Sequence, residues 1–148
     1  MKTIQAVTDI AAPVETVWAE LTDVSAYDAW NPFITMFEGE LVVGSRVEVG
    51  IAPPGGRPMT FRPTITVVEE GSCLEWLGRL VMPGVFDGRH SFHLEALAGG
   101  RTRLTQAEEF SGLLVPLTGK TLEKTRAGFE AMNQALRLRA ETAVEAVR

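Results

Sequence analysis

Six segments between Ile34 and Phe110 alternate apolar and polar residues or carry β-branched ones, and a single long amphipathic helix follows them. That order leaves few architectures open. The segments ITMFEGEL, SRVEVGIA, MTFRPTITVVEE, CLEWLGRLV, RHSFHLEAL and TRLTQAEEF have Gly or Pro-Gly turns between them. Consecutive strands with short connections pair antiparallel and curve strongly. Pro63, inside the third segment, predicts a bulge or an edge. From about Thr118 to Val147, Leu122, Phe129, Met132, Leu136, Ala140 and Ala143 form one helical stripe, while Lys124, Arg137, Arg139 and Glu141 lie largely outside it. Gly128 within that helix costs about 1 kcal/mol relative to Ala, unless a neighbour approaches closely. Ahead of the strands, residues 3–10 alternate as a first strand. Pro13 then opens a helix with Val14, Val17, Trp18 and Leu21 facing inward. SAYDAW forms a second short helical turn, which stops because Pro32 holds Asn31 extended. The expectation is a single α+β domain over residues 1–148. It has a curved antiparallel sheet wrapped around a long C-terminal helix, with two short helices near the N-terminus. One helix over a concave sheet can leave space beneath it.

The stretch from Asp87 to Gly112 adds chemistry to this frame. It reads as a hairpin turning near Gly99 and Gly100, so paired residue numbers sum to roughly 198–200. His90, Phe92 and Leu94 share one side of the first strand; Leu104, Gln106, Glu108 and Phe110 share one side of the second. His90 then stands opposite Glu108, or one pair away, on the apolar face. The reverse orientation would bury Arg89 and Glu95 and expose Phe92 and Leu94, so His93 is the solvent-facing histidine. Burying such polar groups unpaired costs about 1–3 kcal/mol each. Two readings account for them: an internally satisfied His–Glu pair in a packed core, or a mostly apolar cavity whose few polar groups orient a ligand.

Composition narrows the function classes. A chain of 148 residues is long enough for one sizeable core. The formal charge of −5 argues against nucleic acid as a partner, because phosphate binding needs clustered Lys and Arg. No stretch approaches the roughly 18 apolar residues of a membrane span. MKTIQAVTDI lacks a signal peptide's apolar region, so a cytoplasmic location is expected. The lone Cys73 can form no internal disulfide and has no basic neighbour to favour its thiolate. His90 and Glu108 could supply two metal ligands without a third, and no Gly-rich loop opens a helix to cradle a phosphate. Neither metal nor cofactor is expected. Asp9, Asp23, Asp28 and Glu38 lie near element ends, where capping or solvation explains them.

The order of elements resembles the START-like helix-grip (SRPBCC) superfamily, which includes the pollen-allergen and abscisic-acid receptor group, lipid-transfer START domains and bacterial polyketide aromatase/cyclases. The resemblance is carried by IAAPVETVWAELTDVSAYDAWNPFI, LEWLG, GRHSFHLE, and TRLTQAEEFSG with the long helix after it. The opening segment and the Glu108, Phe110, Gly112 run look like small bacterial members of the polyketide cyclase/dehydrase-like group. The resemblance implies a hydrophobic cavity between the sheet and the C-terminal helix. Period-two alternation would line it with Phe61, Ile65, Trp76, His90, Phe92, Gln106, Glu108 and Phe110. Trp30 and Phe33 would approach from the second helix, and Phe129, Met132 and Leu136 from the long one. Residues 81–88 and 112–119 carry apolar side chains in turn-rich sequence, which suits a ligand entrance or a homodimer contact.

Three functions fit this frame. The first is binding of a hydrophobic small molecule such as a lipid or polyketide, with His90, Gln106 and Glu108 fixing orientation and Arg79 on the solvent side. The second is a polyketide cyclase or dehydratase, with His90 as base and Glu108 as orienting group or acid, or with Glu108 as base. The third is a non-enzymatic protein-interaction module, marked by a collapsed cavity and a large exposed apolar patch.

Overall fold

The computed structural model describes residues 1–80, 84–115 and 119–147. Two antiparallel sheets and one long helix make up the body. Strand β1 (Lys2–Ile10) leads into α1 (Val14–Thr22), a 3-10 turn at Val24–Ala26 and the short α2 (Tyr27–Trp30). Strands β2 (Ile34–Glu38), β3 (Glu48–Ile51) and β4 (Met59–Phe61) form a three-stranded sheet. Strands β5 (Thr64–Glu69), β6 (Cys73–Leu80), β7 (Phe86–Leu97) and β8 (Arg101–Ser111) join β1 in a five-stranded sheet of order β1-β8-β7-β6-β5. Helix α3 spans Gly119–Ala146.

The curved antiparallel sheet, the two short N-terminal helices and the long C-terminal helix are all present. The third alternating segment is two strands in different sheets, because Pro63 has no N–H to continue a ladder. Around that break the sheets stay joined: Val47 N–H donates to the Pro63 carbonyl, Ile65 N–H to Ser45, and Gly44 N–H to Ile65. Asn31 is extended before Pro32, and its Oδ1 accepts from the Phe33 and Ile34 amides, which sets the corner into β2.

Register places inward side chains in rows across the large sheet. Ile65, Trp76, His90, Glu108 and Ile4 follow one another from strand to strand. The next row runs Leu74, Phe92, Gln106, Ala6, and the row on the other side runs Gly78, Gly88, Phe110. The β7–β8 pairs sum to 198, and positive φ at Gly99 and Gly100 closes the hairpin. Phe92, Leu74 and Leu104 on this face and Phe129, Met132 and Leu136 on α3 are all fully buried in one core. Gly128 is explained by close approach: the Phe33 ring lies where its Cβ would be.

Candidate functional site

Toward the first turns of α3 the two sheets and the helix do not close on each other. They enclose a cavity of about 310 Å³. The large sheet contributes Trp76, Gly78, Gly88, His90, Glu108 and Phe110; the small sheet and its loop contribute Val49, Ile51, Pro53, Met59 and Phe61. Thr121, Leu122 and Thr125 cover it from α3, and Phe33, Phe86, Leu114 and Pro63 complete the described wall.

Glycines make the room. Gly78 and Gly88 face each other across β6 and β7. A Cβ on Gly88 would collide with Glu108 Oε2, so the carboxyl lies flat across β7 at that point. A Cβ on Gly78 would meet only the Gly88 carbonyl oxygen and Pro63 Cβ, both at 3.9 Å, so it would fit on the cavity wall without a clash.

His90 is buried at 2% exposure among three rings. Phe92 stacks on it at 4.9 Å, with Trp76 at 5.0 Å and Phe129 at 4.9 Å. Burial in this aromatic cage pushes its pKa down to about 4, against the weaker upward pull of the Gln106 hydrogen bond. Glu108 retains 16% side-chain exposure, and burial pushes its carboxyl up to about 8. The two groups stand directly opposite in register, as parity requires, but Nδ1 of His90 is 3.6 Å from Glu108 Oε1. That gap is too long for a hydrogen bond. His90 instead bonds through Nε2 to Gln106 Oε1 at 2.9 Å.

Behind the histidine the polar groups form a directed train. Asn133 Nδ2 donates to the Ala6 carbonyl (3.1 Å), which can only accept. Asn133 Oδ1 therefore turns to Gln106, whose Nε2 donates to it (2.8 Å) and to the Phe129 carbonyl (3.4 Å). Gln106 Oε1 is left to face His90, so Nε2 of the imidazole carries a proton and donates. Asn133 was not among the residues singled out from sequence. The signal was there: an Asn beside Phe129 and Met132 on the apolar stripe of a helix, fully buried in the structure.

Of the residues expected at the site, Phe33, Phe61, Trp76, His90, Glu108 and Phe110 lie on the cavity wall. Ile65, Phe92, Phe129, Met132 and Leu136 lie in the packed core, and Gln106 sits behind His90. Trp30 is half-buried against Tyr27, with the Arg139 guanidinium over its ring at 5.7 Å. Arg79 is exposed and paired in register with Asp87. Residues 81–83 and 116–118 of the two expected mouth loops lie outside the described residues. Their described parts are stitched together: Leu113 and Leu114 donate backbone bonds to Gly84 and Val85. Among the described residues no group of three metal-ligating side chains gathers, and no helix is long and apolar enough to cross a membrane.

Comparison with known proteins agrees with this architecture. Protein CV1439 from Chromobacterium violaceum superposes with a TM-score of 0.71 at 21% identity, over 94% of this chain and 96% of that one. Protein jhp0584 from Helicobacter pylori gives 0.75 at 15% identity, over 94% and 88%. The di-domain ARO/CYC BexL, from the BE-7585A biosynthetic pathway, gives 0.69 at 11% identity, over 92% of this chain and 46% of that one. No curated protein matches the chain in sequence. Residues 1–143 match the family described as polyketide cyclase / dehydrase and lipid transport, and the chain belongs to that family.

Proposed function

We propose that this protein binds a small hydrophobic molecule in the cavity between its sheets and the start of α3. One observation carries the proposal: among the described residues, the space of about 310 Å³ is walled by apolar side chains except for His90, Glu108, Thr121 and Thr125. That is the usual make-up of a small-molecule site, at the lower end of the roughly 300–1,000 Å³ range. A space of this size suits a compact ring system or a short chain, not a two-chain lipid. Phe33, Phe61, Trp76 and Phe110 would supply contact area, and His90 and Glu108 the orientation. Fluorescence titration with the neutral dye N-phenyl-1-naphthylamine tests this. Saturable binding at one site, with denaturing extraction and mass spectrometry identifying what displaces the dye, is expected. A protein that never enhances the dye's fluorescence has no accessible cavity, and the reading then fails.

A second reading is proton transfer on a polyketide-like ketone, and the same two side chains favour it. His90 and Glu108 are the only titratable groups among the described lining residues. Both are uncharged near neutral pH, with Glu108 able to give a proton and the His90 ring able to take one. The fold is shared with the ARO/CYC protein BexL. Cyclisation or dehydration of a poly-β-ketone surrogate should then fall by about 10²-fold or more in His90→Ala and in Glu108→Gln. Equal turnover in folded variants would leave the cavity as a binding site only.

A further inference from the structure

The train behind His90 bears on what the cavity can hold. The Ala6 and Phe129 carbonyls fix the orientation of both amides, so the imidazole spends its one proton on Gln106. A neutral ring of this tautomer turns the lone pair of Nδ1 toward Glu108. A carboxylate there would face that lone pair with no cation near it. An imidazolium–carboxylate pair would instead close to about 2.7–2.9 Å, and the observed separation is 3.6 Å.

Apart from His90, the described groups around the carboxyl are uncharged. Strand β1 sets Ile4 beside it, β6 contributes Trp76 and Gly78, and the small sheet contributes only apolar side chains. Helix α3 adds two threonine hydroxyls, and Thr125 Oγ1 already donates to the Thr121 carbonyl. No Lys or Arg lines the described wall. The nearest acceptor to the Glu108 carboxyl is Nδ1 of His90, and at 3.6 Å it lies beyond hydrogen-bond reach, so among the described residues the carboxyl's proton has no partner and can be offered to a ligand.

We infer that Asn133 and Gln106, acting through His90, make Glu108 the hydrogen-bond donor of the cavity. The cavity on this basis takes an uncharged apolar molecule bearing an oxygen acceptor and rejects the corresponding carboxylate. The inference rests on the cavity being a ligand site. A ligand carboxylate would enter low-dielectric surroundings with no counter-charge among the described residues, whereas a ketone or ester carbonyl accepts the proton that Glu108 offers. The carboxyl's raised pKa agrees with this arrangement. Asn133 and Gln106 touch no ligand in this scheme; they are positioning residues.

Three probes of one skeleton separate the claims: 2-acetylnaphthalene, 2-naphthoate and 2-ethylnaphthalene, compared by equilibrium dialysis at pH 6.5. The ketone should bind severalfold tighter than the hydrocarbon and at least tenfold tighter than the acid. Gly88→Ala, which displaces the Glu108 carboxyl, should erase the ratio of ketone to hydrocarbon. In parallel, ¹⁵N spectra of the two histidines should show His90 protonated at Nε2 alone, with His93 told apart by H93Q. Binding of the hydrocarbon with no preference against naphthoate overturns the inference but leaves the cavity reading standing. So does a preference for the ammonium analogue 2-(aminomethyl)naphthalene, or a His90 proton on Nδ1. Failure of all the probes to bind overturns both.

Discussion

At the scale of single residues, burial moves the two cavity groups in opposite directions, and the signs lead to a stability prediction. Glu108 is raised from 4.5 to about 8, so between these values the native state keeps a proton that the unfolded chain has released. Stability from this group is lost as pH rises, by up to about 1.4 kcal/mol per unit. His90 is lowered from 6.5 to about 4, so in that window the unfolded chain takes a proton that the native state refuses. Its contribution is lost as pH falls. The two slopes oppose each other between 4.5 and 6.5, and only the Glu108 slope remains from 6.5 to about 8. Urea unfolding at pH 6.5 and 8.5 should therefore show a loss of about 1–2 kcal/mol that Glu108→Gln abolishes. An identical loss in the variant would mean that the carboxyl is already ionised in the folded protein. Parity alone brought His90 and Glu108 face to face on the apolar side. It could not show that the imidazole bonds to Gln106, because register fixes Cα positions and leaves the choice of diagonal partner to rotamers and to what stands behind them. Asn133 settles that choice from another element.

At the scale of elements, glycines mark where backbones and rings approach closely. Gly128 admits the Phe33 ring, which also packs edge-on against Phe129 at 5.5 Å and lines the end of the cavity. Helix propensity favours Ala at such a position by about 1 kcal/mol. Here Gly128→Ala should instead destabilise by about 1–3 kcal/mol, since the methyl must displace an aromatic ring or shift α3. Thermal or urea unfolding measures it, and Phe33→Leu in the Gly128→Ala background should recover part of the loss. A Gly128→Ala variant more stable than the parent would show that Phe33 moves freely. Gly112 has a comparable role at the end of β8, where φ is 117° and a Cβ would run into the Val85 carbonyl. The elements themselves were legible, because long alternating segments and a 3.6-residue stripe are strong signals. The split of the third segment was only half legible. Pro63 announced a break, but sequence does not state that the chain changes sheets there.

At the scale of the whole molecule, the question is where along α3 the packing stops. The helical stripe shows which side faces the sheet, and every residue on it has the same claim to be core or cavity. Position along the axis decides. Phe129, Met132 and Leu136 lie against the concave face and are fully buried, while Thr121, Leu122 and Thr125, nearer the helix start, meet open space. The difference comes from the opposite wall. Where Phe92 and Leu74 project the gap is filled; where Gly78 and Gly88 stand opposed neither strand projects a side chain, and only the Glu108 carboxyl lies over Gly88. If the cavity is retained for a ligand and not for stability, filling it should stabilise the fold and abolish binding. Gly78→Leu makes that substitution on the cavity wall, where a Cβ fits at van der Waals distance from its neighbours. Burying the leucine should add about 1–3 kcal/mol in urea unfolding and weaken N-phenyl-1-naphthylamine at least tenfold. Loss of stability with dye binding intact would place the dye elsewhere and remove the reason for the glycine pair. The expected combination, a more stable protein that no longer binds, would mean that the chain forgoes packing at this one place for the sake of an occupant.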